Sequence, residues 1–175
     1  MTRPAEIDTF RTNWDREAQN TIKLLEALPA DQYDFRPDPK GRSLGELAWH
    51  LSEIDACISY GIVERRFDLQ DSLPELQRPR EVKLLAPGYR RVHELAMERL
   101  RKIKNEDLDE SVTFFDGSPM TIREVLWTVM LHHLIHHRGQ LVQMCRTAGG
   151  KPPGIYGPNR EEMEAIRAKM QASQT

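Results

Sequence analysis

The sequence predicts an all-α protein: a four-helix bundle with a long crossover connection and a short C-terminal helix. Three observations support this prediction. Apolar residues recur every three or four positions through four long segments, as they do on the buried face of an amphipathic helix. Most of the prolines fall between those segments, and strand-like alternation is confined to one short stretch.

The first helix is expected to begin near Pro4. Proline has no backbone N–H, but the N–H groups of a first helical turn have no partner within the helix, so proline is tolerated there. The apolar repeat then continues to Pro29, where a loop rich in proline and glycine begins. Ser43 and Glu46 form the pattern of a capping box, in which each residue bonds the other's backbone N–H. The second helix is therefore predicted over residues 44–65.

The middle of the chain contains the predicted crossover. Residues 67–87 are polar and contain three prolines, which is typical of a long connection. Apolar periodicity predicts the third helix over residues 88–104. Within residues 105–120, a β-branched and aromatic run precedes Asp-Gly, a pattern that indicates a short strand and turn.

The last long helix is predicted over residues 122–147. Thr121 and Glu124 supply a second capping box at its start, and two glycines follow its end. After a loop with three prolines, a short charged helix is expected over residues 159–170.

Size and composition limit the classes of function. A chain of 175 residues fits one domain, expected over residues 1–175. The net charge of −2 does not suggest the basic face that nucleic-acid binding requires. There is no signal-peptide pattern and no apolar run long enough to span a membrane. Because the two cysteines form no disulfide framework, we expect a cytoplasmic protein.

Four of the six histidines lie within six residues of the last long helix. At about 100° per residue, His133 and His137 fall at the centre of the apolar stripe, with His136 on its flank and His132 toward solvent. Histidines four positions apart project from one helix face, which is how a helix offers two nitrogens to one metal ion. The spacing therefore predicts a divalent metal site. A hydrogen-bonded cluster without metal is the alternative.

A useful metal site needs a third ligand, and the sequence offers two candidates. His50 lies beside the apolar stripe of the second helix, whereas His93 lies among apolar residues of the third, so periodicity slightly favours His93. Glu46 and Glu53 share the His50 side of their helix. Either is a candidate fourth ligand, hydrogen-bond acceptor for a ligand, or general base.

Three residues beside His137 have separate expectations. Arg138 points away from the ligands and is interpreted as a surface or helix-contact residue. Gly139 is expected to allow close approach of a neighbouring helix, for instance across a dimer. Gln140 is expected near the site, where it either supports a ligand or bonds the backbone as a buried amide.

Several segments resemble the DinB-like (DinB/YfiT-like) family of metalloenzymes. Residues 133–141 resemble its HxxxHRGQ signature. Residues 28–37 and 43–51 are similar to its first loop and second helix, and residues 151–157 to its C-terminal loop. The resemblance covers essentially the whole chain. It implies a four-helix bundle with a long crossover, commonly dimeric.

The resemblance also implies a metal site made by one histidine of the second helix and two of the last long helix. Carried to this sequence, these are His50, His133 and His137, so His93 becomes a core or cavity-lining residue. Family members include transferases that use low-molecular-weight thiols and metal-dependent hydrolases.

The sequence thus leads to a metal-dependent enzyme for thiol S-transfer or hydrolysis of a small molecule. The expected cofactor is a divalent ion, zinc or nickel, and Glu53 is the candidate catalytic residue. A low-molecular-weight thiol is the candidate substrate, and a homodimer is expected. The alternative is a non-catalytic, stress-associated metal-binding bundle.

Overall fold

Five longer helices, three short 3-10 helices and one short hairpin are the regular elements of the described chain, which in this computed structural model comprises residues 4–68 and 70–173. The 3-10 helices are Pro74–Leu76, Val82–Leu84 and Asn105–Asp109. The elements are α1 (Glu6–Glu26), α2 (Leu44–Glu64), α3 (Leu85–Leu100), β1 (Ser111–Thr113), β2 (Pro119–Thr121), α4 (Ile122–Thr147) and α5 (Arg160–Ala172). Helix α4 is continuous but has three parts: α-helical Ile122–Glu124, π-helical Val125–His132 and α-helical His133–Thr147. The predicted all-α class is confirmed. No described helix has the length and apolar content of a membrane span.

Both predicted capping boxes are present. The Ser43 hydroxyl accepts from the Glu46 backbone N–H, and the Glu46 carboxylate accepts from the Ser43 N–H. Thr121 and Glu124 make the same reciprocal bonds at the start of α4. These side chains pair backbone donors that a helix N-terminus otherwise leaves free.

Helix α3 is one turn out of register with its prediction. It begins at Leu85 rather than at residue 88 and ends at Leu100 rather than at 104. The prediction treated Pro87 as a loop residue. Proline is compatible with the first helical turn, whose N–H groups have no partner within the helix, so Pro87 lies inside α3.

The predicted crossover lies between α2 and α3, which run parallel. Near their starts, Trp49 lies so close to Gly88 that a β-carbon at Gly88 would come within 2.8 Å of the indole ring. Near their ends, the guanidinium of Arg99 lies over the Tyr60 ring. Because two neighbouring parallel helices cannot be joined by a tight turn, the connection, described over residues 65–68 and 70–84, returns along the length of the bundle.

The other helices complete an up–down–down–up arrangement. Helix α1 contacts α3 and α4, and α2 contacts α3 and α4, so α1 lies diagonally across the bundle from α2. Helix α1 is antiparallel to α3 and parallel to α4. The contacts that fix these directions are Arg11 with Leu100, Glu26 with Arg90, Glu6 with Arg123 and Cys145 with Ala27.

The predicted strand and turn are present as β1 and the turn after it, and an unpredicted second strand, β2, completes a hairpin. Its strands are antiparallel, with Val112 opposite Met120, and Gly117 adopts a φ of 83° in the turn. This left-handed conformation favours glycine. The hairpin leads into the capping box of α4.

A polar group lies at the centre of the bundle core. His93 of α3 is buried, and its Nδ1 lies 2.9 Å from Oδ2 of the fully buried Asp55. The indole N–H of Trp14 donates to the other Asp55 oxygen over 3.0 Å. Burial alone would lower the pKa of His93, but Asp55 and Asp15 outweigh it, so the pKa is raised. His93 is therefore a core residue, as the family resemblance implied.

Candidate metal centre

Three histidines from two helices converge at the edge between α2 and α4. The Nε2 atoms of His133 and His137 are 2.8 Å apart. The ring centre of His50 lies 4.8 Å from that of His137 and 5.7 Å from that of His133. One ring nitrogen from each histidine lies within 4.8 Å of the others. The predicted triad is thus brought together, whereas His93 lies elsewhere, in the core.

The prediction that His133 and His137 occupy the centre of the apolar stripe is wrong. Both are half-buried, whereas the buried positions that follow on α4 are Leu134, Arg138, Leu141 and Cys145. The π-helical segment Val125–His132 explains the difference. Its i→i+5 hydrogen bonds put more residues in each turn, so each residue advances by less than 100°. The buried face therefore rotates before His133, and the two histidines emerge at the edge.

Each histidine has an oxygen acceptor for its second ring nitrogen. Nδ1 of His50 lies 2.8 Å from Oε2 of Glu53, and Nδ1 of His137 lies 2.7 Å from Oε1 of Gln140. His133 forms a hydrogen bond to the backbone of Val129. Such partners are typical of metal-binding histidines, because they fix the tautomer and turn the free lone pair toward the ion.

The electrostatic setting keeps the α4 histidines neutral. Burial lowers the pKa of His137 to about 4. The hydrogen bond that His137 donates to the Gln140 oxygen opposes this shift, and His50 and His133 lower the pKa further. Burial is also the largest cause of the lowered pKa of His133, followed by the charge of His50. Only neutral imidazole can offer a lone pair to a metal.

This arrangement fits a divalent ion. With Nδ1 of His137 hydrogen-bonded to the Gln140 oxygen, its Nε2 presents a lone pair toward Nε2 of His133, 2.8 Å away. A cation at this point can bind both imidazoles, and the lowered pKa values disfavour the imidazolium form that would compete with it. Three neutral imidazoles are also a ligand set that zinc enzymes use.

The acidic candidates near His50 have different surroundings. Oε2 of Glu53 accepts from His50, and the Glu53 side chain is 39% exposed. Glu46 instead caps α2 and pairs with Arg36 over 2.8 Å. Among the described residues, the donor group at this site consists of the three histidines. Glu53 therefore contacts a candidate ligand, and its catalytic role remains a prediction.

The remaining histidines of α4 lie outside the triad. His132 is exposed, as predicted, and His136, which was predicted on the flank of the apolar stripe, is also exposed. The amide nitrogen of Gln140 lies 3.0 Å from Nε2 of His136, while its oxygen faces His137. Gln140 thus lies near the site as expected and bridges two imidazoles. The alternative, a buried amide bonded to the backbone, is wrong.

Arg138 makes a contact that sequence reasoning missed. Its side chain is only 2% exposed and forms an ion pair with Glu17 of α1, so of the two expectations the helix contact is correct and the surface location is wrong. The Tyr156 hydroxyl, on the C-terminal loop, lies 2.6 Å from both Arg138 and Glu17. This network holds α4 against α1 directly after His137. The sequence contained no signal for this network, because Arg138 was predicted to point away from the buried face.

Gly139 has open space around it. No atom lies within 4 Å of the position that its β-carbon would occupy. The expectation that a neighbouring helix approaches Gly139 closely is therefore wrong for the described part of this chain. A close approach by a helix of a second copy, across a dimer, remains a prediction.

Comparison with known proteins identifies the family. Residues 1–172 match the sequence model of the DinB family. The chain belongs to the DinB family. The resemblance inferred from the HxxxHRGQ segment is thereby confirmed.

Two similar proteins match most of this chain. The uncharacterized protein YrdA of Bacillus subtilis (strain 168) is 30% identical over 159 residues, which is 89% of this chain and 91% of YrdA. The crystal structure of a DinB-like protein from Bacillus cereus ATCC 10987 has a TM-score of 0.70 at 29% identity, covering 85% of this chain and 97% of that one.

A second solved structure shows the fold alone. The DinB-like protein YjoA of Bacillus subtilis has a TM-score of 0.68 at 23% identity and covers 87% of this chain and 99% of its own. The DinB-family bundle is therefore preserved even where few residues are identical.

Proposed function

We propose that this DinB-family protein is a metal-dependent enzyme that catalyses thiol S-transfer or hydrolysis of a small molecule. The observation that carries the proposal is the convergence of His50, His133 and His137, each with its second nitrogen bonded to an oxygen acceptor. Lone pairs fixed in this way favour metal binding over a simple hydrogen-bonded cluster.

The three histidines would hold the ion through their free nitrogens. Zinc or nickel is proposed, because imidazole ligands suit both. A bound divalent ion would supply Lewis-acid chemistry, lowering the pKa of a coordinated water or thiol.

Glu53 and Gln140 are proposed to orient the ligands. Glu53 fixes the tautomer of His50, and its partly exposed carboxylate is also placed to take up a proton released at the site. Gln140 fixes His137 and joins it to the exposed His136. These roles need only the hydrogen bonds described above.

An open coordination position separates an enzyme from the non-catalytic alternative. A closed structural site normally has four protein ligands. Three histidine donors without a fourth among the described residues, in a half-buried setting, favour the open site.

Metal content of protein purified without an affinity tag tests the proposal. We expect about one zinc or nickel ion per chain by elemental analysis. A preparation that lacks stoichiometric metal, and that neither zinc nor nickel loads tightly, would overturn the proposal.

Cobalt-loaded protein separates the two reactions. Thiol transfer predicts that bacillithiol, mycothiol or glutathione produces a thiolate-to-cobalt absorption band and is consumed with an electrophile from a test panel. Hydrolysis predicts turnover of esters or amides with no thiol dependence.

Two further expectations accompany the proposal. A homodimer is supported by the open surface at Gly139 and by the exposed Tyr156, and sedimentation velocity tests it. A cytoplasmic location is supported by the free thiols of Cys57 and Cys145, because thiols persist in reducing compartments.

A further inference from the structure

A small apolar cleft lies on the outer side of α2, where the crossover connection and the hairpin meet it. It encloses about 90 Å³. Its apolar walls come from Tyr60 on α2, Phe67 and Leu73 on the crossover, and Phe115 next to the hairpin turn. Cys57 of α2 also lines it, and we refer to it as the Cys57 cleft.

The Cys57 cleft lies on the same face of α2 as the histidine triad. His50, Glu53 and Cys57 follow one another at spacings of three and four residues, which places them on one helix face. At a rise of 1.5 Å per residue, Cys57 is about 10 Å from His50 along the helix axis. Glu53 lies between them, and its charge adds to burial, the larger cause, in raising the pKa of Cys57 to about 11. One extended small molecule can therefore reach both places.

The size of the cleft restricts its ligand. A protein cavity of about 150 Å³ lined by apolar side chains holds benzene, so a cleft of about 90 Å³ suits a smaller, aliphatic group. Aromatic and aliphatic walls favour such a group because its burial removes apolar surface from water.

The charges around the cleft disfavour an anionic ligand. Arg66 at its rim is already paired with Asp68 and Asp71, over 3.4 and 3.1 Å. Arg99 pairs with Glu75, and Glu53 adds another negative charge. Four carboxylates thus surround the cleft against two guanidinium groups, a balance that disfavours a negatively charged group.

We infer that the Cys57 cleft binds a short, uncharged aliphatic group of the substrate, whose reacting end lies at the histidine triad. Binding of the aliphatic group is inferred from the cleft itself, whereas the position of the reacting end at the triad rests on the proposed function. The inference makes Glu53 the boundary between the two halves of one substrate site.

Alkyl methanethiosulfonates test the cleft in the intact protein. In a Cys145→Ala background, Cys57 is the remaining thiol. Its sulfur displaces methanesulfinate from the reagent and forms a mixed disulfide, and the thiol proton passes to solvent. We expect the butyl-to-methyl ratio of reaction rates to be about tenfold greater for Cys57 than for glutathione. The reason is that the butyl reagent buries three more methylenes in the cleft. The anionic sulfonatoethyl reagent should react more slowly than the neutral ones.

Two variants keep this test decisive. Leu73→Trp fills the cleft and should remove the butyl preference, whereas Phe67→Ala enlarges it and should shift the preference to the hexyl reagent. Equal butyl-to-methyl ratios for Cys57 and glutathione, measured by intact-mass spectrometry, would overturn the assignment of the cleft.

Cobalt-loaded protein tests the link to the triad. Hexanethiol should bind the cobalt about tenfold more tightly than ethanethiol, since its chain reaches toward the cleft, and butylation of Cys57 should abolish this advantage. Equal affinities for the two thiols would refute the link while leaving the metal site intact. Failure to bind cobalt at all would instead refute the proposed function.

Discussion

His93 in the core and the triad at the α2–α4 edge present the same side chain in opposite electrostatic settings. His93 lies between the carboxylates of Asp55 and Asp15, which raise its pKa despite burial. No carboxylate is among the groups that shift the pKa values of His133 and His137, and burial lowers both values.

The difference separates a structural histidine from a candidate ligand. A histidine between two carboxylates is stabilised as imidazolium, which has no lone pair for a metal. His133 and His137 are instead favoured as neutral imidazole, and their hydrogen-bond partners are a backbone group and an amide oxygen. The carboxylate of Glu53 contacts His50 and is partly exposed. The partner on the second nitrogen, more than burial, therefore distinguishes His93 from His133 and His137.

Removal of a triad imidazole should have the largest effect, a loss of zinc affinity. His137→Ala deletes one of three donors, so we expect zinc affinity to fall by more than about 100-fold, beyond the effect of removing a supporting residue. His132→Ala is the matched control, because His132 is exposed on the same helix. Titration calorimetry measures both, and equal losses would show that the triad is wrongly assigned.

Removal of the buried carboxylate should affect stability. Asp55→Asn leaves His93 without its charged partner in the core, and breaking a buried pair in this way costs about 3 kcal/mol in the free energy of unfolding. Zinc affinity of the folded variant should be unchanged. Urea denaturation measures the loss, and a change below about 0.5 kcal/mol would contradict the charged-pair account.

The same change from carboxylate to amide at the triad should lower zinc affinity and have little effect on stability. Glu53→Gln weakens the acceptor for His50 Nδ1, so zinc affinity should fall about 10- to 100-fold. The free energy of unfolding should change by less than about 1 kcal/mol, because the Glu53–His50 contact is partly exposed. An unchanged zinc affinity would remove Glu53 from the site.

The pH dependence of stability gives the smallest effect. A raised pKa means that His93 contributes stability that is complete below its unfolded pKa of about 6.5 and is lost as pH rises through its folded pKa. The groups facing it are Asp15, Asp55 and the stacked ring of Tyr89. We expect His93→Gln to flatten the decline of stability above about pH 6.5, measured by denaturation across pH. The same slope in both proteins would contradict the raised pKa.

Much of the bundle follows from local sequence, because local rules determine it. Apolar periodicity gave the long helices, and two capping boxes gave the starts of α2 and α4. The error at α3 arose because proline is allowed in both a loop and a first helical turn. The strand and turn within residues 105–120 were predicted from the β-branched and aromatic run and Asp-Gly, whereas the second strand and its antiparallel pairing were not.

The site was less predictable, because it depends on features that act across the chain. A constant 100° per residue cannot describe the π-helical segment, so the facing of His133 was misjudged. Periodicity alone slightly favoured His93 over His50, and the family resemblance corrected that choice. The partners Glu17 and Tyr156 of Arg138 are distant in sequence, so no local pattern could identify them.

A crystal structure of the zinc-loaded protein, with anomalous data collected at the zinc edge, tests the central claim most directly. We predict one anomalous peak at the α2–α4 edge, about 2.0–2.1 Å from one nitrogen each of His50, His133 and His137. A peak at another location, or one that lacks any of these three nitrogens, would contradict the account.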